Sequence, residues 1–117
     1  MRMNVVFGKA CAAILMLATT LLGPVTALRA EQAAVKISVK DHHFQPAQVY
    51  APANQPLVIT VKNLDTAAME FESVSLRVEK VIAAGSEGVV HVRALAPGSY
   101  EFFDDFHQET RGSLVVR

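Results

Sequence analysis

The sequence predicts one all-β domain, a sandwich of seven to eight short strands. Three observations carry that expectation. Stretches of period-two apolar–polar alternation recur from Val35 to Val116. Turn-forming residues separate them about every eight to twelve residues. No segment shows a convincing run of apolar residues at helical spacing.

The elements follow in chain order. Val35-Lys36-Ile37-Ser38-Val39-Lys40 alternates as a half-buried strand should. Val49 to Ala51 follows Pro46 and stops at Pro52 and Asn54. Leu57-Val58-Ile59-Thr60-Val61 is rich in β-branched residues and ends at the turn signal Asn63-Leu64-Asp65. Met69 to Glu72 alternates again. The region Thr66 to Val81 has mixed periodicity and leaves room for a short helical turn. Val78 to Ala83 and Val89 to Val92 flank Gly85-Ser86, which reads as a turn. Ser99 to Phe103 follows Pro97-Gly98, and Leu114-Val115-Val116 closes the chain after Gly112. The strands show no internal repeat and no interdomain linker.

Residues 1–30 differ from the rest. Arg2 and Lys9 make a positive start, an apolar run spans Ala10 to Leu22, and small residues stand at Ala27 and Ala30. That order describes a secretory signal peptide, cleaved after Ala27 or Ala30, with a single domain over residues 31–117 and a periplasmic or secreted location. The run is shorter than the roughly 20 residues that span a bilayer as a helix, so no membrane span is expected after cleavage. An uncleaved N-terminal anchor is the alternative. Cys11, the only cysteine in the 117 residues, would leave with the signal. The mature domain then has no thiol for a disulfide, a nucleophile or a metal. It would keep eight basic against eleven acidic residues, a net charge of about −3. Nucleic acid is excluded as a natural partner on that count, because phosphate binding needs clustered Lys and Arg. Capture of a cation is compatible with it.

Chemistry concentrates in two places. Glu101 to Glu109 contains Glu101, Asp104, Asp105, His107 and Glu109 with no basic residue. Carboxylates this close repel one another unless a cation offsets them. Oxygen donors with one imidazole suit iron, manganese or zinc, whereas copper(I) prefers sulfur. A solvated acidic loop is the competing reading. Glu70 and Glu72 lie two apart on a strand and so share one face, either as ligands or as an ordinary solvent face opposite Met69 and Phe71. His42 and His43 follow Asp41 and read as exposed, His91 as a surface histidine, and Met69 as core. No Gly-x-Ser-x-Gly or phosphate loop is present, so no catalytic residue is assigned.

Pro97-Gly98-Ser99-Tyr100-Glu101-Phe102-Phe103-Asp104-Asp105-Phe106-His107, followed by Gly112-Ser113-Leu114-Val115-Val116, resembles the C-terminal signature of the cupredoxins. The resemblance extends over nearly all of residues 31–117, including Phe44-x-Pro46 and the Pro52 to Pro56 turn, and implies a cupredoxin-like Greek-key β-sandwich. Its ligand pattern departs from blue copper. Asp104 stands at the cysteine position, Met69 at the first histidine, and Thr110 or Arg111 in the methionine region, while His107 keeps the second histidine. A blue-copper centre needs a thiolate between two imidazoles, and this chain cannot build one.

Phe71 with its flanking glutamates, Glu79-Lys80-Val81-Ile82, Ala84-Gly85-Ser86-Glu87 and the Phe102 to His107 stretch resemble one subset of that family, the EfeO-type and FtrB-type cupredoxin-like proteins of bacterial periplasmic iron uptake. The resemblance implies iron as cargo, with copper(II) as the alternative cation. It implies Glu70, Glu72, Asp104, Asp105 and His107 as metal residues, with Glu109 a weaker member, and an iron permease and other uptake components as partners. It further implies binding and delivery, with oxidation of iron(II) as an added activity. A metal-free interaction module on the same fold, or a copper(II) protein, are the other readings. Strand alternation divides the set, with Tyr100, Phe102 and Asp104 on one face and Glu101, Phe103 and Asp105 on the other. A loop beginning near Asp104 would relax that restriction; otherwise there are two sites, or one of the acids is idle.

Overall fold

The computed structural model describes residues 16–24 and 32–117. Most of the expected export signal therefore lies outside the described residues; Met16–Pro24 carries no helix or strand. The rest is all β, with no helix among the described residues, and hence none long and apolar enough to cross a membrane.

Nine strands form: β1 (Ala33–Lys40), β2 (His43–Gln45), β3 (Gln48–Ala51), β4 (Leu57–Asn63), β5 (Met69–Ser73), β6 (Val78–Ile82), β7 (Glu87–Val92), β8 (Gly98–Asp104) and β9 (His107–Val116). They divide into a four-stranded sheet of order β2-β1-β4-β7 and a five-stranded sheet of order β3-β9-β8-β5-β6. The chain changes sheet at Pro46-Ala47, between β2 and β3. Most neighbours are antiparallel, but β1 pairs with β4 and β3 with β9 in parallel. This is the two-layer sandwich that the alternation predicts.

The strands close on one core because their apolar residues fall on one face. In β4 Leu57, Ile59 and Val61 are buried, each 2 % exposed or less. Phe71 of β5 and Phe102 of β8, both fully buried, face Phe44 of β2 across the gap. Phe44 meets Phe102 edge-on at 4.9 Å and Phe71 edge-on at 6.2 Å, while Phe71 and Phe102 lie 5.2 Å apart. Edge-to-face contacts at these distances stabilise beyond the burial itself. Asn63, also fully buried, ties the end of β4 to the other sheet. Its Nδ2 donates to the carbonyls of Ala67 (2.8 Å) and Ile82 (3.1 Å), and its Oδ1 accepts from the Asp65 N–H (3.0 Å).

Three expectations need correction. The region Thr66 to Val81 holds no helical turn; β5 and β6 form a hairpin around Val74 to Arg77. β2 is an extra strand of three residues, paired to β1 by a two-residue turn. The loop expected after Asp104 is only Asp105-Phe106, because β9 begins at His107 and pairs it with Asp104. The Asp104 carboxylate closes that turn by accepting the Phe106 N–H at 3.1 Å, the local bond by which aspartate favours tight turns.

Candidate metal centre

The turn at Asp105-Phe106 is too short to fold Asp104 and Asp105 to one side, so alternation holds. Asp104 is 1 % exposed and faces inward, while Asp105 is half-buried beside β5. Asp104 is fully engaged. Its Oδ1 accepts the Glu70 N–H (2.9 Å) and the Phe106 N–H, and its Oδ2 pairs with His107 Nδ1 (3.1 Å). It thus locks β5, the turn and His107 together. Met69, 2 % exposed, is part of the apolar core. A buried thioether, a carboxylate committed to backbone N–H groups and one histidine do not fit a blue-copper ion.

The carboxylates converge elsewhere. Glu70, Glu72 and Glu79 each offer an oxygen, and the three oxygens lie within 4.8 Å of one another. Glu70 and Glu72 project from the same face of β5, opposite Phe71. Glu79 of β6 is brought to them by the hairpin register, which sets it directly across from Glu72. Like charges directly opposite on paired strands oppose pairing, so this arrangement persists against its own repulsion. Glu79 was not assigned a ligand role from the sequence. Counting back from the four-residue turn, with Ser73 opposite Val78, places Glu79 opposite Glu72 and is the signal for it.

The electrostatics agree with the geometry. The Glu70 carboxyl is pushed up to about 7. The hydrogen bond it shares with Glu79 is the largest cause, followed by loss of water and the charges of Glu79, Asp105 and Glu72. Glu72 is also raised, first by desolvation and then by Asp105 and Glu79. Carboxyls crowded enough to raise Glu70 and Glu72, where a cation would relieve them, are a site that hard cations can fill. Asp105 borders the group without joining it; its N–H donates to the Glu70 carbonyl at 2.9 Å and its Oδ1 accepts from Gln108 Nε2.

His107 lies on the other side of Asp104, outside the glutamate group, with its ring 4.1 Å from that of His42. His42 is exposed as expected, but not idle. Asp65 accepts its N–H at 3.1 Å and that of Asp41 at 2.6 Å. Burial raises the Asp65 carboxyl, yet those two N–H groups and the nearby His42 and His107 carry it below its ordinary range. The predicted set is therefore divided: Glu70 and Glu72 come together with Glu79 and border Asp105, while Asp104 and His107 pair with each other. Glu109 is exposed on β9, and Glu101 faces a groove with Ser75, Phe103 and Arg111. His91 is exposed on β7.

A family model described as "Cupredoxin-like domain" matches residues 11–116. The uncharacterized protein RP394 of Rickettsia prowazekii is 37% identical over 82 residues, 70% of this chain and 66% of that protein, so the chain spans just under two-thirds of its length. Among solved structures, the metal binding domain of the Streptococcus pneumoniae D39 Cu(I) exporting P-type ATPase CopA superposes with a TM-score of 0.66 at 19% identity, covering 72% of this chain and 84% of that one. Auracyanin A of Chloroflexus aurantiacus, a "blue" copper protein, gives 0.63 at 14% identity over 74% and 100%. A purple cupredoxin from Nitrosopumilus maritimus gives 0.55 at 16% identity, with the same coverage. At such identities the likeness shows the fold alone.

Proposed function

The chain belongs to the cupredoxin-like domain family, and from that premise we propose that it is an exported metal-binding member whose cation sits on carboxylates in place of a copper thiolate. The observation that carries the reading is the convergence of Glu70, Glu72 and Glu79 within 4.8 Å. Three carboxylate oxygens on two adjacent strands would make an oxygen-only donor set. Such a set selects hard or borderline cations over copper(I).

Iron is the cargo this reading favours, with copper(II) as the alternative. Carboxylates hold iron(III) more strongly than iron(II), and a half-exposed rim lets the ion be taken up and passed on. The partner would be an iron permease with its companion uptake proteins, as in the EfeO-type and FtrB-type subset whose motifs the chain resembles. Binding and hand-over, more than turnover, is the activity this donor set supports. Copper(II) outcompetes iron for most sites in vitro, so affinity alone does not name the cargo.

The test is calorimetric titration with iron(II) under anaerobic conditions, alongside copper(II) and zinc, on the wild type and on Glu79→Gln. The proposal expects stoichiometric iron binding that Glu79→Gln weakens by at least about tenfold. Unchanged iron binding in Glu79→Gln would remove the site.

A further inference from the structure

The turn between β1 and β2 is built against the usual preference. Lys40 pairs with His43, leaving Asp41 and His42 as a two-residue hairpin turn. Both have positive φ, 50° and 60°. A turn of this kind favours Asn-Gly, because only glycine adopts such angles without steric cost. Here the second position carries an imidazole instead.

The surroundings hold that conformation from several sides. The two oxygens of Asp65 take the N–H groups of Asp41 and His42. Thr110 Oγ1, on a residue 2 % exposed, donates to the His42 carbonyl at 2.7 Å. Asp65 is in turn placed by Asn63, which accepts its N–H. The result is that His42 stands against His107 with ring centroids 4.1 Å apart and planes inclined by 41°.

His107 is equally fixed. Its Nδ1 is bound to the carboxylate of Asp104, itself buried at 1 % exposure, which leaves Nε2 as the free ring nitrogen. A carboxylate behind an imidazole is the arrangement that orients metal-bound histidines. Two imidazole nitrogens on one tetrahedral zinc, at about 2.0–2.1 Å each, stand about 3.3 Å apart. The His42 and His107 rings stand 4.1 Å apart at their centroids, and the exposed His42 ring would have to turn outward for both nitrogens to reach one ion.

We propose that His42 and His107 form a second cation site, for an imidazole-preferring divalent transition metal such as zinc or copper(II), with Asp104 as the positioning residue of His107. The site uses other donors than the glutamate group, on β9 and the β1–β2 turn, and a different class of metal, although Asp104 touches both through the Glu70 N–H. Open positions would be filled by water.

The probe is zinc added to the full chain, followed by the nitrogen resonances of the four histidine rings. The expected result is that His42 and His107 shift together and saturate at one equivalent, while His43 and His91 stay in place. His42→Asn keeps the turn, because asparagine tolerates positive φ, and should weaken zinc binding by about tenfold or more. Glu79→Gln should leave these shifts unchanged, so failure here is separable from failure of the glutamate site. Shifts of His43 or His91 as large as those of His42 would overturn the proposal. So would wild-type zinc affinity in His42→Asn.

Discussion

The proton held among the glutamates should appear directly as a pH dependence of iron binding. Glu70 titrates at about 7 in place of 4.5. A metal must displace that proton, so apparent affinity falls about tenfold per pH unit once the pH is below about 7. Between pH 8 and pH 5 the expected loss is about a hundredfold. A carboxyl at its ordinary value would lose less than about twofold over the same interval. In Glu79→Gln the charge of Glu79, the third contribution, is gone, and the carboxyl–carboxylate hydrogen bond, the largest, becomes one to a neutral amide. Residual binding in that variant should depend less steeply on pH between 8 and 5, with the slope that remains set by desolvation and the charges of Asp105 and Glu72. The assay is anaerobic titration with iron(II) against a competing chelator at several pH values. A flat wild-type profile would refute the assignment of the proton to Glu70. A slope in Glu79→Gln as steep as in wild type would show that Glu79 does not raise the Glu70 carboxyl. The same shift fixes the sign for stability without metal. A carboxyl raised on folding favours the protonated native state, so its contribution is complete below about pH 4.5 and is lost as pH rises through about 7.

Three further outcomes test the framework around the site. Asn63→Ala removes one acceptor and two or more donated bonds from a fully buried position; at about 1 kcal/mol for each bond the loss is about 3 kcal/mol, or roughly 15 °C in melting temperature for a domain of this size. A melting temperature within a few degrees of wild type would show that the two sheets are not tied there. Gly112→Ala places a Cβ 2.4 Å from Phe102 and 2.8 Å from the Ala47 carbonyl oxygen; chemical denaturation should show a loss of about 1–3 kcal/mol, and a neutral result would contradict the close approach of β9 to β8. Phe102→Ala empties the middle of the three-ring cluster and should cost about 3–5 kcal/mol by the same measurement; a loss below about 1 kcal/mol would mean that the cluster does not anchor the core.

The fold was legible because β1, β4 and β7 write their burial as alternation, and because Asn63-Leu64-Asp65 and Pro97-Gly98 mark their own turns. What escaped was polar or short. β2 has three residues, and the first half of β9, His107 to Gly112, carries no apolar alternation to announce a strand; its inward residue is Thr110. The site divides along the same line. Glu70 and Glu72 were readable as a pair from their spacing alone, and the separation of Asp104 from Asp105 follows from strand period. Glu79 needs the hairpin register, which the mixed periodicity of Thr66 to Val81 conceals. His42 and His107 are brought together only by the packing of one sheet on the other, and no local pattern in the chain encodes that.

The central claim is that the cation rests on oxygen alone. X-ray absorption of the full chain, loaded anaerobically with one equivalent of iron(II), tests it most directly. The account predicts a first shell of oxygen scatterers with no sulfur and no imidazole multiple-scattering signal, and weaker iron retention in Glu79→Gln. Imidazole or sulfur in the first shell of iron would contradict it.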